Sequence, residues 1–197
     1  MKIVFASNNS HKLKEISGLI GSDYELLSLS DLDINVDIPE EEPDLEGNAL
    51  SKARFIKKLT RLNVFADDTG LEVEALGGLP GVKSARFAGE DKDSSANIDL
   101  LLSMLGDNPN RKARFRTVFA LIYNNEEFVM EGIVEGVITD KKKGDKGFGY
   151  DPVFIPCGAT KTFAEMELSE KNLISHRARA LEKLCTKLHE FNHANNK

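Results

Sequence analysis

The chain has 197 residues, a formal net charge of −6 and a hydrophobic share of 41%. This length supports one domain with a substantial core, or one domain with two lobes. Proteins that bind nucleic acid through its phosphates usually carry a basic excess, so the acidic balance argues against a nucleic-acid partner. The two cysteines, Cys157 and Cys185, form no CxxC pattern, which is typical of reduced thiols in a cytoplasmic protein.

No stretch of the sequence approaches the roughly 20 apolar residues that span a bilayer. The apolar run near the N-terminus, 3–6, is too short for a signal peptide. We therefore expect a cytoplasmic protein with no membrane partner.

The first part of the chain alternates short apolar runs with segments of helical periodicity. Its first helix pattern follows a polar turn and ends at Gly21, and its second follows an acidic loop that contains two prolines. The expected elements are a strand over 2–6, a turn over 7–10, a helix from Leu13 to Gly21, a strand over 24–29, an acidic loop over 37–46 and a helix over 48–62.

A third apolar run, 64–66, ends in two adjacent carboxylates, Asp67 and Asp68, followed by Thr69 and a glycine-rich loop over 77–81. This order predicts a strand that ends in acids, which is how α/β enzymes present a metal site at the edge of a sheet. Successive strand residues point to opposite faces. We therefore expect one of the two acids to serve a metal or a water, and the other to be tied to structure.

The second half predicts helices around a β-hairpin that turns at Asn124-Asn125. Consecutive strands in the middle of the chain favour a mixed sheet, so the pattern predicts one α/β domain over 1–197. The expected elements are a helix from Ser94 or Ser95, hairpin strands over 113–124 and 127–135, a continuation over 136–139, a basic loop over 141–144, a glycine-rich aromatic segment over 148–156 and a last helix over 172–192.

The turn between the first strand and the first helix is a candidate anion site. Backbone N–H groups and the positive end of a helix meet there, and Lys12 in the first turn adds a positive charge. The alternative is an ordinary helix cap with a surface lysine. The turn and the start of the helix comprise Ser7, Asn8, Asn9, Ser10, His11 and Lys12.

The acidic loop supplies carboxylates upstream of Asp67 and Asp68. Mg²⁺ takes oxygen ligands and keeps several waters, so two or three carboxylates from different segments are enough to hold it. The alternative is a solvated loop, and we expect at least three of its acids to face solvent. Those acids are Glu40, Glu41, Glu42, Asp44 and Glu46.

Two later segments are candidates for binding a flat polar ligand. In the segment 147–152, glycines let the backbone approach a ligand while Phe148 offers a stacking face, and Tyr150 is interpreted as a core residue. Lys171 and the pair His176-Arg177 are suited to hydrogen-bonding a polar edge. The alternative for the pair is an exposed position on a helix.

Five blocks, taken together and in order, resemble the inosine triphosphate pyrophosphatase family over nearly the whole chain. Each block would be weak alone, and five in the family's order are highly specific. The blocks are Ser7-Asn8-Asn9-x-x-Lys12, Phe65-Ala66-Asp67-Asp68-Thr69-Gly70-Leu71, Leu79-Pro80-Gly81-Val82-x-Ser84-Ala85-Arg86, Phe148-Gly149-Tyr150-Asp151-Pro152 and Ser175-His176-Arg177.

The resemblance implies an elongated, two-lobed α/β fold with a long central mixed sheet flanked by helices, a cleft between the lobes and commonly a homodimer. It also implies a Mg²⁺-dependent reaction in which inosine and xanthosine triphosphates (ITP, dITP, XTP) and water give the monophosphate and pyrophosphate. Such an activity removes deaminated purines from the nucleotide pool.

By position, the resemblance makes Asp68 the general base and a metal ligand. It assigns the segment from Ser7 to Lys12 to the triphosphate, Thr69 to a further substrate contact, and Lys52 is a candidate cation for the phosphates. The residues that it assigns to the base and sugar are Phe148, Gly149, Tyr150, Asp151, Lys171, His176 and Arg177.

One block departs from the family pattern. Members often read Phe-Glu-Glu-Asn-Ala before the second helix, where this chain has Leu45-Glu46-Gly47-Asn48-Ala49. The upstream metal-binding glutamate is therefore open among Glu40, Glu41 and Glu46, and we favour Glu40 or Glu41.

Two alternatives remain. One is a pyrophosphatase for modified pyrimidine nucleotides. The His176-Arg177 pair argues against it, because this pair favours purines. The other is a non-catalytic nucleotide sensor, which would need neither Asp68 as a base nor the acidic loop.

Overall fold

Seven strands and five α-helices make up the regular structure of the described residues. The computed structural model describes residues 2–17, 19–20 and 24–195, with side chains up to 191. Gly21, where the sequence predicts the end of the first helix, lies outside these residues. In chain order the elements are β1 (Lys2–Phe5), α1 (Ser10–Ser17), β2 (Glu25–Leu27), α2 (Leu45–Thr60), β3 (Val64–Val73), β4 (Pro80–Gly81), α3 (Ser94–Leu105), β5 (Lys112–Tyr123), β6 (Glu126–Ile138), β7 (Phe154–Pro156), α4 (Leu168–Ile174) and α5 (His176–Asn195).

The strands form one mixed sheet in the order β2-β1-β3-β5-β6-β7, with β4 paired to β3. β1 runs parallel to β2 and β3, whereas β4 is antiparallel to β3 and β7 is antiparallel to β6. The predicted mixed α/β fold is thereby confirmed. No described helix has both the length and the apolar character that a membrane crossing requires.

The hairpin between β5 and β6 turns where the sequence predicts it. Asn124 and Asn125 have φ angles of 49° and 68°, a left-handed pair that asparagine tolerates and that suits the twist of a two-residue hairpin. β6 continues without interruption to Ile138, so the predicted continuation over 136–139 belongs to the same strand.

The predicted end of the third strand is wrong. β3 does not stop at Asp67 and Asp68 but runs on to Val73, which leaves both acids near its middle. The continuation is stabilised by β4, where Leu71 pairs with Gly81. Gly70 permits this approach, because a Cβ there would lie 2.6 Å from the carbonyl oxygen of Gly81.

The predicted last helix is two helices. Ser175 has extended backbone (φ −69°, ψ 154°) and separates α4 from α5. Leu173, which the sequence places in the core stripe, is 83% exposed, because it belongs to the short helix before the break. The stripe of Leu181, Leu184 and Leu188 along α5 is buried as predicted.

The chain divides into two compact units, each with its own apolar core. The first unit comprises Met1–Asp68, Thr117–Gly132 and Arg177–Lys197. In its core, the rings of Phe5 and Phe65 stack with centroids 4.9 Å apart, and Phe65 meets Phe119 edge-on. Leu184 and Leu188 of α5 belong to the same cluster.

The second unit comprises Thr69–Arg116 and Ile133–His176. Its core gathers Leu71 from β3, Leu101 from α3 and an aromatic group formed by Phe115, Phe154 and Phe163. The ring centroids of Phe115 and Phe154 are 4.7 Å apart. The prediction that the chain is a single domain with two lobes stays a prediction.

Candidate active site

The turn after β1 is a helix cap built from asparagine. Asn9 Oδ1 accepts from the backbone N–H of His11 at 3.0 Å and of Lys12 at 3.2 Å, which satisfies two donors at the start of α1. Ser7 Oγ accepts from the Asn9 N–H, and Asn8 Nδ2 donates to the carbonyl of Val36 at 2.8 Å. The predicted capping turn is confirmed.

The same turn lines a cavity of about 410 Å³ in the first unit. This volume lies in the usual range for small-ligand sites. Hydroxyl and amide groups on two segments face it together with a few apolar side chains. The lining residues are Ser7, Asn8, Asn9, Ser10, Leu13, Ser28, Leu29, Ser30, Asp33, Ile34 and Asn35.

Asp67 is fully buried and bound to cations. Lys12 Nζ donates to Asp67 Oδ1 at 3.0 Å, and the guanidinium of Arg177 lies 3.6 Å from Asp67 Oδ2. Burial alone would raise the pKa of Asp67, but Lys12, Arg177 and Lys52 outweigh it and lower the pKa to about 2. Burial, with Lys52 and Arg177 nearby, lowers the pKa of Lys12 despite Asp67.

Glu15 completes this group and was not predicted as a site residue from the sequence. Its carboxylate pairs with Arg177, and both side chains are almost wholly buried. The available signal was its position beside Ile16 on the buried face of α1, where an acid is rarely left without a cation.

Asp68 faces a different set of partners. Lys52 Nζ donates to Asp68 Oδ1 at 3.0 Å, and Asn48 Nδ2 donates to Oδ2 at 3.2 Å. Burial raises the pKa of Asp68 above its ordinary value, with Glu40 adding to the effect and Lys52 opposing it. Asp67 and Asp68 thus have different direct partners, and the prediction that one of them serves a metal or a water stays a prediction.

The Lys52 ammonium bridges two carboxylates, because it also donates to Glu40 Oε1 at 3.0 Å. Burial would lower the pKa of Lys52, but Asp68, Asp67 and Glu40 outweigh it and raise the pKa. Lys52 lies on α2 one turn beyond Asn48, so one face of this helix supplies both partners of Asp68.

The acid loop (37–46) is mostly solvated, as predicted. Glu40 is half-buried and turns toward Lys52, whereas Glu41 and the other acids of the loop are exposed. Asp68 and Glu40 therefore converge on the Lys52 ammonium, and their carboxylate oxygens are of the type that Mg²⁺ takes as ligands. No group of three or more His, Cys, Asp or Glu within the described ranges is arranged to hold a metal.

In the second unit, Asp151 organises the glycine-rich aromatic segment. Its Oδ2 accepts from Lys171 Nζ at 2.6 Å and from the N–H of Phe148 at 2.9 Å. Gly147 has φ +71°, and a Cβ there would overlap Asp151 Oδ2. Lys171 also lies 5.0 Å from the centroid of the Phe148 ring.

Tyr150 is a core residue, as the sequence predicts. It is 4% exposed, and its hydroxyl donates to the carbonyl of Ser84 at 2.9 Å. Burial raises the pKa of Tyr150 above its ordinary value, so the hydroxyl stays protonated. Gly149, beside Tyr150, has φ +60°. Of the other predicted substrate contacts, Thr69 directly follows Asp68 and is half-buried.

His176 and Arg177 are both buried, so the alternative of an exposed pair is wrong. In the second unit, the His176 ring stacks on Phe115 with centroids 4.5 Å apart. Arg177, in the first unit, is 1% exposed and bound by Glu15 and Asp67. Its guanidinium is engaged by carboxylates, an arrangement that sequence alone did not indicate.

The fold and these clusters define a mixed α/β protein whose buried carboxylate and ammonium groups suit a polyanion and a divalent cation. The chain belongs to the Ham1 family, whose pattern it matches over residues 3–187. The resemblance found from the sequence blocks is thereby confirmed.

Individual relatives resemble the chain over nearly its whole length. A dITP/XTP pyrophosphatase of Porphyromonas gingivalis is 51% identical over 184 residues, covering 93% of this chain and 95% of that protein. A dITP/XTP pyrophosphatase of Christiangramia forsetii is 49% identical over 184 residues, covering 93% and 97%. The structure of the Staphylococcus aureus Ham1 protein superposes with a TM-score of 0.87 at 40% identity, covering 96% and 99% of the two chains.

Proposed function

We propose that this chain hydrolyses inosine and xanthosine triphosphates (ITP, dITP and XTP) to the nucleoside monophosphate and pyrophosphate, with Mg²⁺ as cofactor. Relatives at 49% and 51% identity that carry the name dITP/XTP pyrophosphatase support the class of reaction. The observation on which the proposal chiefly depends is Asp68, a buried carboxylate of raised pKa that shares the Lys52 ammonium with Glu40. The activity would remove deaminated purines from the nucleotide pool.

Asp68 and Glu40 are the proposed metal ligands, and Glu40 is preferred over Glu41 because it faces the same cation as Asp68. Mg²⁺ bound by them would offset the negative charge of the triphosphate and of the pyrophosphate leaving group.

Asp68 is the proposed general base. Its carboxylate orients the attacking water and accepts a proton as the water oxygen bonds to the α-phosphorus. The bond between the α-phosphorus and the bridging oxygen breaks, pyrophosphate leaves with the electron pair, and the proton passes to solvent. A raised pKa suits this role, because a base closer to neutrality accepts a proton more readily.

The turn from Ser7 to Lys12 is the proposed phosphate-binding segment. Ser7, Asn8, Asn9 and Ser10 line the cavity described above, where hydroxyl, amide and backbone N–H groups are available to phosphate oxygens. Lys12 and Lys52 are held by carboxylates, so their ammonium groups are already positioned and would be shared with the substrate. His11 and Thr69 are proposed as further contacts of the triphosphate.

Contacts to the base and sugar are proposed for residues 148–151, Lys171, His176 and Arg177. Inosine and xanthosine carry a 6-oxo group where adenosine has a 6-amino group. A hydrogen-bond donor such as His176 or the Gly149 N–H would bond the 6-oxo oxygen. Facing the 6-amino group of adenosine, the same donor would meet another donor and form no hydrogen bond. Leaving a buried polar group unmatched is a strong basis for rejecting a wrong substrate.

We also infer a homodimer, as the resemblance implies, and a cytoplasmic location, as expected from the sequence. The proposed substrates belong to the pool from which polymerases draw, and reduced cysteines suit that compartment.

Product analysis tests the function. Purified protein with Mg²⁺ is given ITP, XTP, dITP, ATP, GTP and dTTP separately, and pyrophosphate and orthophosphate are measured. We expect pyrophosphate from the inosine and xanthosine substrates and little from ATP or GTP. Orthophosphate as the direct product would contradict attack at the α-phosphorus, turnover of pyrimidines alone would favour the modified-pyrimidine alternative, and tight ITP binding without turnover would indicate a sensor.

A further inference from the structure

The side-chain amide of Asn48 joins the two segments that carry the proposed metal ligands. Its Nδ2 donates to Asp68 Oδ2 at 3.2 Å, and its Oδ1 accepts from the backbone N–H of Glu42 at 3.0 Å. The Asn48 side chain is 2% exposed, its bond to Asp68 is buried and its bond from the Glu42 N–H is partly buried. Hydrogen bonds shielded from water are stronger, and a lost partner there is costly. One buried amide therefore connects β3 to the acid loop.

The chemistry of the two partners fixes the orientation of this amide. An ionised carboxylate only accepts hydrogen bonds, and a backbone N–H only donates them. Asparagine supplies a donor and an acceptor on one short planar group, whereas aspartate offers no donor when ionised and leucine of similar shape offers neither.

Helix α2 places Asn48 from a well-defined start. Asp44 caps the helix by accepting from the Gly47 N–H at 2.8 Å, and the Asn48 N–H bonds the Asp44 carbonyl at 3.2 Å. Lys52, four residues on, holds Asp68 Oδ1 and Glu40 Oε1. The helix thus holds each oxygen of Asp68 with a different residue, and the same two residues also bond the acid loop, Asn48 at Glu42 and Lys52 at Glu40.

Gly47 allows the acid loop to approach Asn48 closely. A Cβ at position 47 would lie 2.8 Å from Glu42 Cβ, which is nearer than real Cβ atoms come. Glu42 packs against the helix backbone there, and this contact accompanies the bond from its N–H to Asn48.

We propose that Asn48 is a positioning residue that fixes the acid loop relative to Asp68, so that Glu40 and Asp68 hold one divalent cation together. The proposal rests on the proposed function for the role of the metal. Partners that orient metal ligands typically change metal affinity or activity by 10- to 100-fold when they are replaced.

The test uses two variants of this link and a matched control. Asn48→Ala removes both bonds, and Gly47→Ala displaces the acid loop while it leaves the amide of Asn48 in place. The control is Asn97→Ala in the second unit. Asn97 is likewise the fourth residue of its helix and 4% exposed, and its amide bridges the Ala88 N–H and the Ala85 carbonyl.

Three properties of the full-length variants are measured. The first is Mn²⁺ affinity without nucleotide, from the electron paramagnetic resonance of free Mn²⁺. The second is hydrogen exchange of peptides covering 37–46, and the third is kcat and KM for dITP at saturating Mg²⁺. In Asn48→Ala we expect about 10-fold weaker Mn²⁺ binding, faster exchange in the acid loop and a fall in kcat that exceeds the change in KM. Gly47→Ala should change exchange and Mn²⁺ affinity in the same direction, and Asn97→Ala should lower only the melting temperature.

Unchanged exchange and Mn²⁺ affinity in both Asn48→Ala and Gly47→Ala would overturn the positioning role, as would equal effects in the Asn97→Ala control. If Asn48→Ala does not fold, Gly47→Ala decides the question. A wild-type protein that neither binds Mn²⁺ nor converts dITP would refute the proposed function instead, whatever the exchange data show for the acid loop.

Discussion

Asp67 and Asp68 are chemically identical neighbours whose surroundings give them opposite properties. The pKa of Asp67 falls to about 2 because three cations outweigh its burial, whereas the pKa of Asp68 rises because burial outweighs Lys52. The lowered pKa of Asp67 makes its carboxylate a poor proton acceptor. The raised pKa of Asp68 makes its carboxylate a better one. The difference assigns structure to Asp67 and the proposed chemistry to Asp68.

Replacement of Asp68 should slow catalysis strongly. Asp68→Asn keeps the shape but cannot accept the proton, so we expect kcat for dITP to fall about 10²-fold or more, the usual contribution of a general base. Steady-state kinetics with Mg²⁺ measure this change. Activity retained within a few-fold of wild type would remove Asp68 from the role of base.

Replacement of Asp67 should weaken the fold in a pH-dependent way. A folded-state pKa of about 2, below the ordinary 3.8, means that the carboxylate stabilises the fold above pH 4 and that this contribution is lost as the pH falls toward 2. The shift corresponds to about 2 kcal/mol, and the buried Lys12 ammonium, deprived of its Asp67 partner, would add to the loss in Asp67→Asn.

Urea unfolding at pH 7, 5, 4 and 3 would measure that prediction. The difference in unfolding free energy between wild type and Asp67→Asn should be constant from pH 7 to pH 5 and should narrow below pH 4. Asp68→Asn is the control, because the raised pKa of Asp68 predicts the opposite pH dependence, in which wild type gains stability relative to the variant as the pH falls. A difference that is independent of pH would show that the Asp67 carboxylate is not held ionised by its cations.

At the scale of elements, periodicity predicted most of the regular structure but not where strands and helices end. The hairpin was predictable because Asn124-Asn125 is a local turn signal. Helix α2 was predictable because its apolar positions repeat at helical spacing. The length of β3 was not predictable, because it depends on pairing with β4, a separate segment of the chain. The break at Ser175 has no strong local signal either.

The same distinction applies to the candidate site. Short motifs identified the turn at Asn9 and the acids Asp67 and Asp68 without any structure. Glu15 carried only the signal of its position beside Ile16, and the partners of Glu15 and Asn48 were not predictable, because these contacts form only when α1, α2, α5 and β3 come together. Which loop glutamate faces Asp68 was likewise a question of three-dimensional proximity.

The tight loop before Asp151 offers a test at this scale. Gly147→Ala places a Cβ against Asp151 Oδ2 at a positive φ, so we expect the carboxylate to move and the Lys171–Asp151 bond to weaken. The expected result is a loss of about 1–3 kcal/mol in unfolding free energy, the usual cost of local backbone strain, with a raised KM for dITP. Gly149→Ala is a control with φ +60° but open space around its Cβ, so it should raise KM less.

For the whole molecule, the net charge of −6 argues against a nucleic-acid partner but not against a small anionic ligand. The proposed substrate carries about four negative charges, and the relevant quantity is the local balance of the first unit's site. There Lys12, Lys52 and Arg177 are nearly matched by buried acids. A divalent cation would make the local charge positive enough to hold the substrate's phosphates. We therefore expect removal of the metal to abolish turnover.

The proposed homodimer gives a further prediction at this scale. Light scattering after size-exclusion chromatography should give a mass near 44 kDa, twice the 21.8 kDa of one chain. Measurement at several loading concentrations distinguishes a stable pair from a transient one. A constant mass near that of a single chain would contradict the dimer.

The three-segment composition of the first unit has a consequence for synthesis of the chain. Its core joins Ile3 and Phe5, which leave the ribosome early, to Leu184 and Leu188 on α5, which leave it late. The whole second unit is translated in between. Domains usually fold as units during synthesis. Here β1 must wait for α5, so apolar surface of the nascent first unit stays exposed while the second unit is translated, and it is open to aggregation or to capture by chaperones at that stage.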